Sequence, residues 1–193
     1  IEDFQKEQSG EVYDTHGNLI ALLRNDGKNI VYLTSDEIPD AVKDAFISIE
    51  DKRFRRHHGF DPFAILRAAK ALVAKNSITQ GGSTITQQLA RNIYLTHTVK
   101  WERKVEEIFI AMALERKYTK DEILEFYINN IYFSNGYYGI QAASRGYFSK
   151  DAAELTLSET AFLCAIPNSP GSYDPLNHME NTLKRRDLIL KNM

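Results

Sequence analysis

From Pro39 onward the apolar residues recur at helical spacing, and this pattern constrains the fold more than any other feature of the chain. Ala41, Val42, Ala45, Phe46 and Ile49 form one stripe of a 3.6-residue period just behind Pro39. Asp61-Pro62 reads as an N-cap followed by proline at the first helical position, and Phe63, Leu66, Ala69, Leu72 and Val73 continue that helix. Asn76 to Gly82 is polar, carries a glycine pair and reads as a loop. One helix follows through about Tyr94 and another from about Lys100 to Lys117. Thr119-Lys-Asp-Glu122 is a capping-box pattern before Ile123-Leu-Glu-Phe-Tyr-Ile128. Further helices are expected near residues 138–147, 151–165 and 177–192. Upstream, Glu11-Val-Tyr-Asp14 and Asn18-Leu-Ile-Ala-Leu-Leu23 flank a turn at Thr15-His-Gly17. A second turn at Asn25-Asp-Gly27 precedes Asn29-Ile-Val-Tyr-Leu33, so short strands are expected there. The expected fold is mainly α with a minor N-terminal β element: residues 1–37 form an entry segment packed on a domain of residues 38–193.

A chain of 193 residues is long enough for one substantial core with a small second lobe. Its formal net charge of -2 excludes the basic balance of a general nucleic-acid binder, so no nucleic-acid partner is expected. The single cysteine, Cys164, excludes an internal disulfide, and its apolar setting, Thr160-Ala-Phe-Leu-Cys-Ala-Ile166, reads as a buried small hydrophobe. No run approaches the ~18 apolar residues that span a bilayer. The chain opens at Ile1 and stops at Met193 inside a helical pattern. It therefore reads as a segment of a longer protein, and the absence of such a run here says nothing about an anchor in the full-length protein.

Three polar clusters carry chemistry. In Ser48-Ile-Glu-Asp-Lys-Arg-Phe-Arg-Arg-His-His-Gly59, Glu50 lies four residues beyond Phe46, at the edge of the apolar stripe, a partly dried position of the kind a general base needs. Its ordinary reading is a surface carboxylate paired with a nearby arginine. Lys52, Arg53, Arg55, Arg56, His57 and His58 form a cationic patch that suits solvent, phosphate or anionic lipid, and the adjacent histidines are poorly spaced for metal. In Gln80-Gly-Gly-Ser-Thr-Ile-Thr-Gln-Gln88 a glycine pair at Gly81 opens into a helix. Ser83 or Thr84 can cap that helix, and its N–H groups attract an anion. Thr84, Gln88 and Arg91 share a face, with Gln87 beside it, able to bond sugar or phosphate. A plain capped helix has the same pattern. In Lys100-Trp-Glu-Arg-Lys-Val-Glu-Glu107, Lys100, Arg103, Lys104 and Glu107 share one face and Val105, Ile108, Phe109 and Met112 the other. Arg103–Glu107 is either an exposed helix pair or part of a pyrophosphate grip.

Together these segments resemble the glycosyltransferase family 51 domain of peptidoglycan polymerases. Glu50-Asp-x-x-Phe54-x-x-His57-x-Gly59 resembles the first family motif, Gly81-Gly-Ser-Thr-Ile-Thr-Gln-Gln88 the second and Arg103-Lys-x-x-Glu107 the third. Lys120-x-x-Ile123-Leu-Glu-x-Tyr127-x-Asn129 is similar to the fourth and Gly139-x-x-Ala142-Ala-x-x-Tyr147-Phe148 to the fifth. The flanks, Ser9-Gly-x-Val-Tyr-Asp-x-x-Gly17 and Pro167-x-x-Pro170-x-x-Tyr173-x-Pro175, resemble the family's edges, most like those of class A bifunctional penicillin-binding proteins.

The resemblance implies a lysozyme-like helical lobe with a smaller lobe against the bacterial cytoplasmic membrane, on its outer face. Phe63, Leu66, Lys70 and Lys75 would supply the amphipathic contact. It implies a growing glycan chain on undecaprenyl pyrophosphate as donor and lipid II as acceptor, with other cell-wall synthesis proteins as further partners. Glu50 would be the base, with Glu107 near the leaving group. Arg91, Arg103 and Lys104 would carry the pyrophosphate charge, while Ser83, Thr84, Gln87 and Gln88 orient the phosphosugar. Asp51, Phe54 and His57 would shape the first motif or touch substrate. No cofactor is required, although Mg²⁺ or another divalent ion on the pyrophosphate would need few protein ligands. The competing classes are a lytic glycosidase, which also uses a glutamate, and a non-catalytic lipid-binding module.

Overall fold

The computed structural model describes residues 10–13, 19–23, 30–67, 82–94 and 100–193. The expected loop at 76–81, the turns at 15–17 and 25–27, and the helical continuation through Ala69, Leu72 and Val73 lie outside the described residues. Gly10–Tyr13 (β1) and Leu19–Leu23 (β2) pair antiparallel, with an irregularity in register between Val12 and Tyr13. The rest is helical: α1 (Asp40–Glu50), α2 (Ile85–Tyr94), α3 (Lys100–Lys117), α4 (Lys120–Asn130), α5 (Ile140–Phe148), α6 (Leu157–Ala165) and α7 (Pro175–Asn192). A helical turn also covers residues 62–67. None of the described helices is long and apolar enough to cross a membrane. The chain divides into two compact units, Ile1–Ala45 with Ile128–Met193, and Phe46–Tyr127.

In the first unit α6 is buried on nearly every side, through Thr160, Ala161, Phe162, Leu163, Cys164 and Ala165. A helix apolar all round must be enclosed, and α6 packs against both α5 and α7. Cys164 is a buried free thiol, as its apolar setting indicates. The single helix expected over 151–165 is two pieces, because the segment holds two caps in succession. Asp151 and Glu154 box a 3-10 turn at Ala152–Glu154, and Thr156 and Glu159 box the start of α6. The strand expected at 29–33 is also corrected. Ile30 to Leu33 is irregular, and the buried side-chain amide of Asn129 takes the place of a neighbouring strand. Leu33 N–H donates to Asn129 Oδ1 at 2.8 Å, and Asn129 Nδ2 donates to the Leu33 carbonyl at 2.8 Å.

The Glu159 carboxylate also accepts a hydrogen bond from Lys150 Nζ at 2.8 Å. Lys150, then the Thr156 N–H and hydroxyl, hold its pKa down to about 2 from an ordinary 4.5. A lowered pKa means stability that is present above pH 4.5 and lost as pH falls toward 2. Glu159→Gln keeps a capping side chain but removes the charge. Its melting point is therefore expected to lie below wild type at pH 7 and to converge with it near the carboxylate's own pKa. Melting curves that stay separated by the same amount down to that pH would exclude the ionic contribution.

The second unit is built on α2, α3 and the end of α1, and α2 packs on α3. Its core includes Phe46, Phe54, Ile85, Leu89, Ala111, Leu114, Ile123 and Tyr127. The apolar side of α3 is not its buried side. Phe109 is 67% exposed and Val105 45%, whereas Glu107, Ala111 and Leu114 are buried. Close approach accompanies this: the Gly59 backbone lies against the backbone of Ala111 and Met112, a contact that a side chain at residue 59 would block.

Candidate active site

Glu50 is the last residue of α1, one turn beyond Phe46. The Phe46 ring meets Tyr127 edge to face at 5.4 Å, fixing the end of the helix against α4. The Tyr127 hydroxyl donates to Gln88 Oε1 at 3.1 Å, and Gln88 Nε2 donates to Glu50 Oε2 at 3.0 Å. Both ends of the Gln88 amide are thereby set, the NH₂ facing the carboxylate and the oxygen facing the phenol. Glu50 is half-buried, a carboxylate held by a neutral donor with part of its surface still open.

Behind it, Asp51 is buried and its Oδ2 accepts twice, from His57 Nε2 at 2.8 Å and from the Ile85 N–H at 3.0 Å. Ile85 is the first residue of α2, so the carboxylate caps the positive end of that helix. Thr84 and Gln87 form a reciprocal capping box: Thr84 N–H donates to Gln87 Oε1 at 3.0 Å and Gln87 N–H to Thr84 Oγ1 at 3.1 Å. The Thr84 hydroxyl donates to the Gly59 carbonyl at 2.8 Å. The anion expected at this helix start is thus the chain's own Asp51, and of Ser83 and Thr84 it is Thr84 that caps. Phe54 is fully buried, with the Lys120 ammonium 4.5 Å from its ring centroid and the His57 ring edge-on at 6.2 Å.

A second polar group surrounds Lys104. Its ammonium donates to Ser83 Oγ at 2.7 Å and to Glu107 Oε2 at 2.8 Å. Glu107 is buried, and its other oxygen stands 3.9 Å from Arg103 Nε. Lys104 and Arg103 are each 42% exposed at the side chain, so a buried carboxylate anchors two cations whose outer surfaces stay open. Both Glu107 oxygens face cations, and no group of three His, Cys, Asp or Glu among the described residues is arranged around a metal site. That donor set does not fit a protein-held divalent ion.

The structure therefore joins Glu50 to Gln88, Asp51 to His57 and α2, and Ser83 to Lys104, Glu107 and Arg103. Arg91 is exposed on α2 three residues beyond Gln88, outside these groups, and Gly81 lies outside the described residues. Sequence reasoning assigned no role to Tyr127, Thr86, Glu115 or Lys120. Tyr127 and Lys120 carried a signal, since both stand at motif positions. Thr86 also stands within the second motif, whereas Glu115 carried no signal: the two meet across 29 residues of chain.

A family model described as Transglycosylase matches residues 16–193. Penicillin-binding protein 4 of Bacillus subtilis (strain 168) is 45% identical over 193 residues, covering 100% of this chain and 31% of that protein. Penicillin-binding protein 1A of Aquifex aeolicus (strain VF5) is 44% identical over 193 residues, 100% of this chain and 26% of that protein. The chain thus spans less than a third of these relatives, at 31% and 26% of their lengths. The crystal structure of Penicillin-Binding Protein 1A from Haemophilus influenzae aligns with a TM-score of 0.50 at 21% identity, over 97% of this chain and 18% of that one. That likeness concerns the fold, which is mainly helical as expected.

Proposed function

Because this chain belongs to the transglycosylase family, we propose that it polymerises lipid II into β-1,4-linked glycan strands, with Glu50 as the general base. The observation that carries the reading is the Gln88–Glu50 bond of 3.0 Å, which holds a half-buried carboxylate at a fixed place beside the start of α2. Glu50 takes the proton from the acceptor's 4-hydroxyl as that oxygen attacks the donor's anomeric carbon. The bond to the pyrophosphate oxygen breaks with its electron pair, and the α-linked donor becomes a β-linked product. Undecaprenyl pyrophosphate leaves as an anion, so it needs cations more than it needs an acid.

Lys104 is the first of those cations. Two of its three N–H donors go to Ser83 and Glu107, and we assign the third to a pyrophosphate oxygen. Arg103 and Arg91 supply further positive charge. Thr84 and Gln87 act through the helix cap they form. The lipid tails place the site at the bacterial cytoplasmic membrane, on its outer face. Phe63 at 58% and Leu66 at 54% exposure give the helical turn at 62–67 an apolar side suited to that surface.

The test is the product formed from a lipid-pyrophosphate disaccharide: linear polymer with release of undecaprenyl pyrophosphate is expected. Shortened fragments from preformed strands, with no polymer, would instead identify a lytic glycosidase. Lys104→Ala is expected to lower kcat/KM on the pyrophosphate donor by about 10²-fold, the scale of removing one preorganised donor from a developing anion. Binding of neutral sugars would be unaffected. A Lys104→Ala enzyme within threefold of wild type on the natural donor would remove Lys104 from the leaving-group site.

A further inference from the structure

Glu115, near the end of α3, lies in none of the groups assigned above. Its side chain is 4% exposed. One oxygen, Oε1, accepts from Thr86 Oγ1 at 2.6 Å and from Lys120 Nζ at 2.7 Å, and stands 3.9 Å from His57 Nδ1. A buried carboxylate is expensive to desolvate, and an apolar residue of similar volume often stabilises as well or better, so specifying a geometry is the clearest use of one. The geometry specified here is that of α2. Its first residue, Ile85, is tied to Asp51, immediately after Glu50, and its second, Thr86, is tied to Glu115. Two residues further on, the same helix carries Gln88 to Glu50. His57, bonded to Asp51 on one side and facing Glu115 on the other, closes the circuit.

We infer that Glu115, acting through Thr86, is a positioning residue for glycosyl transfer: it locks the start of α2 so that Gln88 meets Glu50 in register. The inference rests on the assignment of Glu50 as the base. It predicts a loss in turnover without a loss in donor binding, because neither residue belongs to the Lys104 group.

The experiment compares Thr86→Val, Thr86→Ser and Glu115→Gln with wild type in polymerisation of the lipid-pyrophosphate disaccharide. Calorimetric titration with undecaprenyl pyrophosphate counts the binding-competent fraction of each protein, so kcat is expressed per competent site and partial misfolding cannot imitate the effect. Thr86→Val is expected to lose about tenfold to a hundredfold in kcat, the cost of a small misplacement in a reacting pair, with KM within about twofold. Thr86→Ser, which keeps the hydroxyl, is expected to recover most of it. Glu115→Gln, which keeps an acceptor for Thr86 but not the charge for Lys120, is expected to fall between them. A Thr86→Val enzyme with wild-type kcat per competent site overturns the inference, as does a loss that appears equally in KM and competent fraction. Glu50→Gln is the control. If it is inactive while Thr86→Val is normal, only the positioning role fails; if it is active, the base and the positioning that acts through it fail together.

Discussion

Glu50→Gln is expected to reduce polymerisation by about 10²- to 10⁴-fold, the usual contribution of a positioned general base. The substitution suits the question because it changes little else. A glutamine at this position keeps a side-chain oxygen able to accept from Gln88 Nε2, the bond that measures 3.0 Å in the native protein. The Phe46–Tyr127 contact and the Tyr127–Gln88 bond lie on the far side of that amide and need not move. Melting point and undecaprenyl pyrophosphate affinity should therefore stay close to wild type, so the loss belongs to kcat. Asp51→Asn makes the contrast. Asp51 Oδ2 serves His57 and the α2 N-terminus together, so its replacement is expected to lower the melting point as well as the rate. A Glu50→Gln protein that still polymerises within a few-fold of wild type would show that the proton goes elsewhere.

What was legible in the sequence was what the chain decides locally. The capping box at Thr119 and Glu122 is present, with Thr119 N–H donating to Glu122 Oε2 at 2.7 Å, because both partners lie within one turn. The Asp61-Pro62 start is likewise present, Phe63 N–H donating to Asp61 Oδ1 at 3.0 Å. The three polar clusters were also visible, because their residue types are unusual together. The burial of α3 was not. Val105, Ile108, Phe109 and Met112 have the periodicity of a core stripe, yet the buried face runs through Glu107, Ala111 and Leu114. Periodicity reports that a helix has an apolar side, not which side its neighbours can approach. Here the neighbour is the backbone at Gly59, which closes on the backbone of Ala111 and Met112. Asn129 standing in for a strand, and Glu115 anchoring Thr86, are pairings 96 and 29 residues apart that no local pattern encodes.

Gly59→Ala is the substitution expected to cost the fold most. Gly59 has φ of +88°, a region that residues with a Cβ rarely adopt. A Cβ there would lie 2.7 Å from the Ala111 carbonyl carbon, 2.8 Å from its oxygen and 2.8 Å from the Met112 nitrogen. These are backbone atoms in the middle of α3, so no side-chain rotation relieves the contact. About 1–2 kcal/mol for the left-handed backbone adds to about 1–3 kcal/mol for forced overpacking. The sum, roughly 3 kcal/mol, corresponds to a melting point about 6–12 °C lower for a domain of this size. Gly136→Ala separates the two contributions. Gly136 has φ of +82° but nothing within 4 Å of its would-be Cβ, so it should show the backbone cost alone. Activity should separate the two variants further. The Gly59 carbonyl accepts the Thr84 hydroxyl at 2.8 Å, so a displaced Gly59 pulls on the cap of α2 and, through it, on Gln88 and Glu50. Gly59→Ala is therefore expected to lose turnover even well below its own melting point. Equal melting points for the two alanine variants would mean that the Gly59–α3 approach is looser than these distances require.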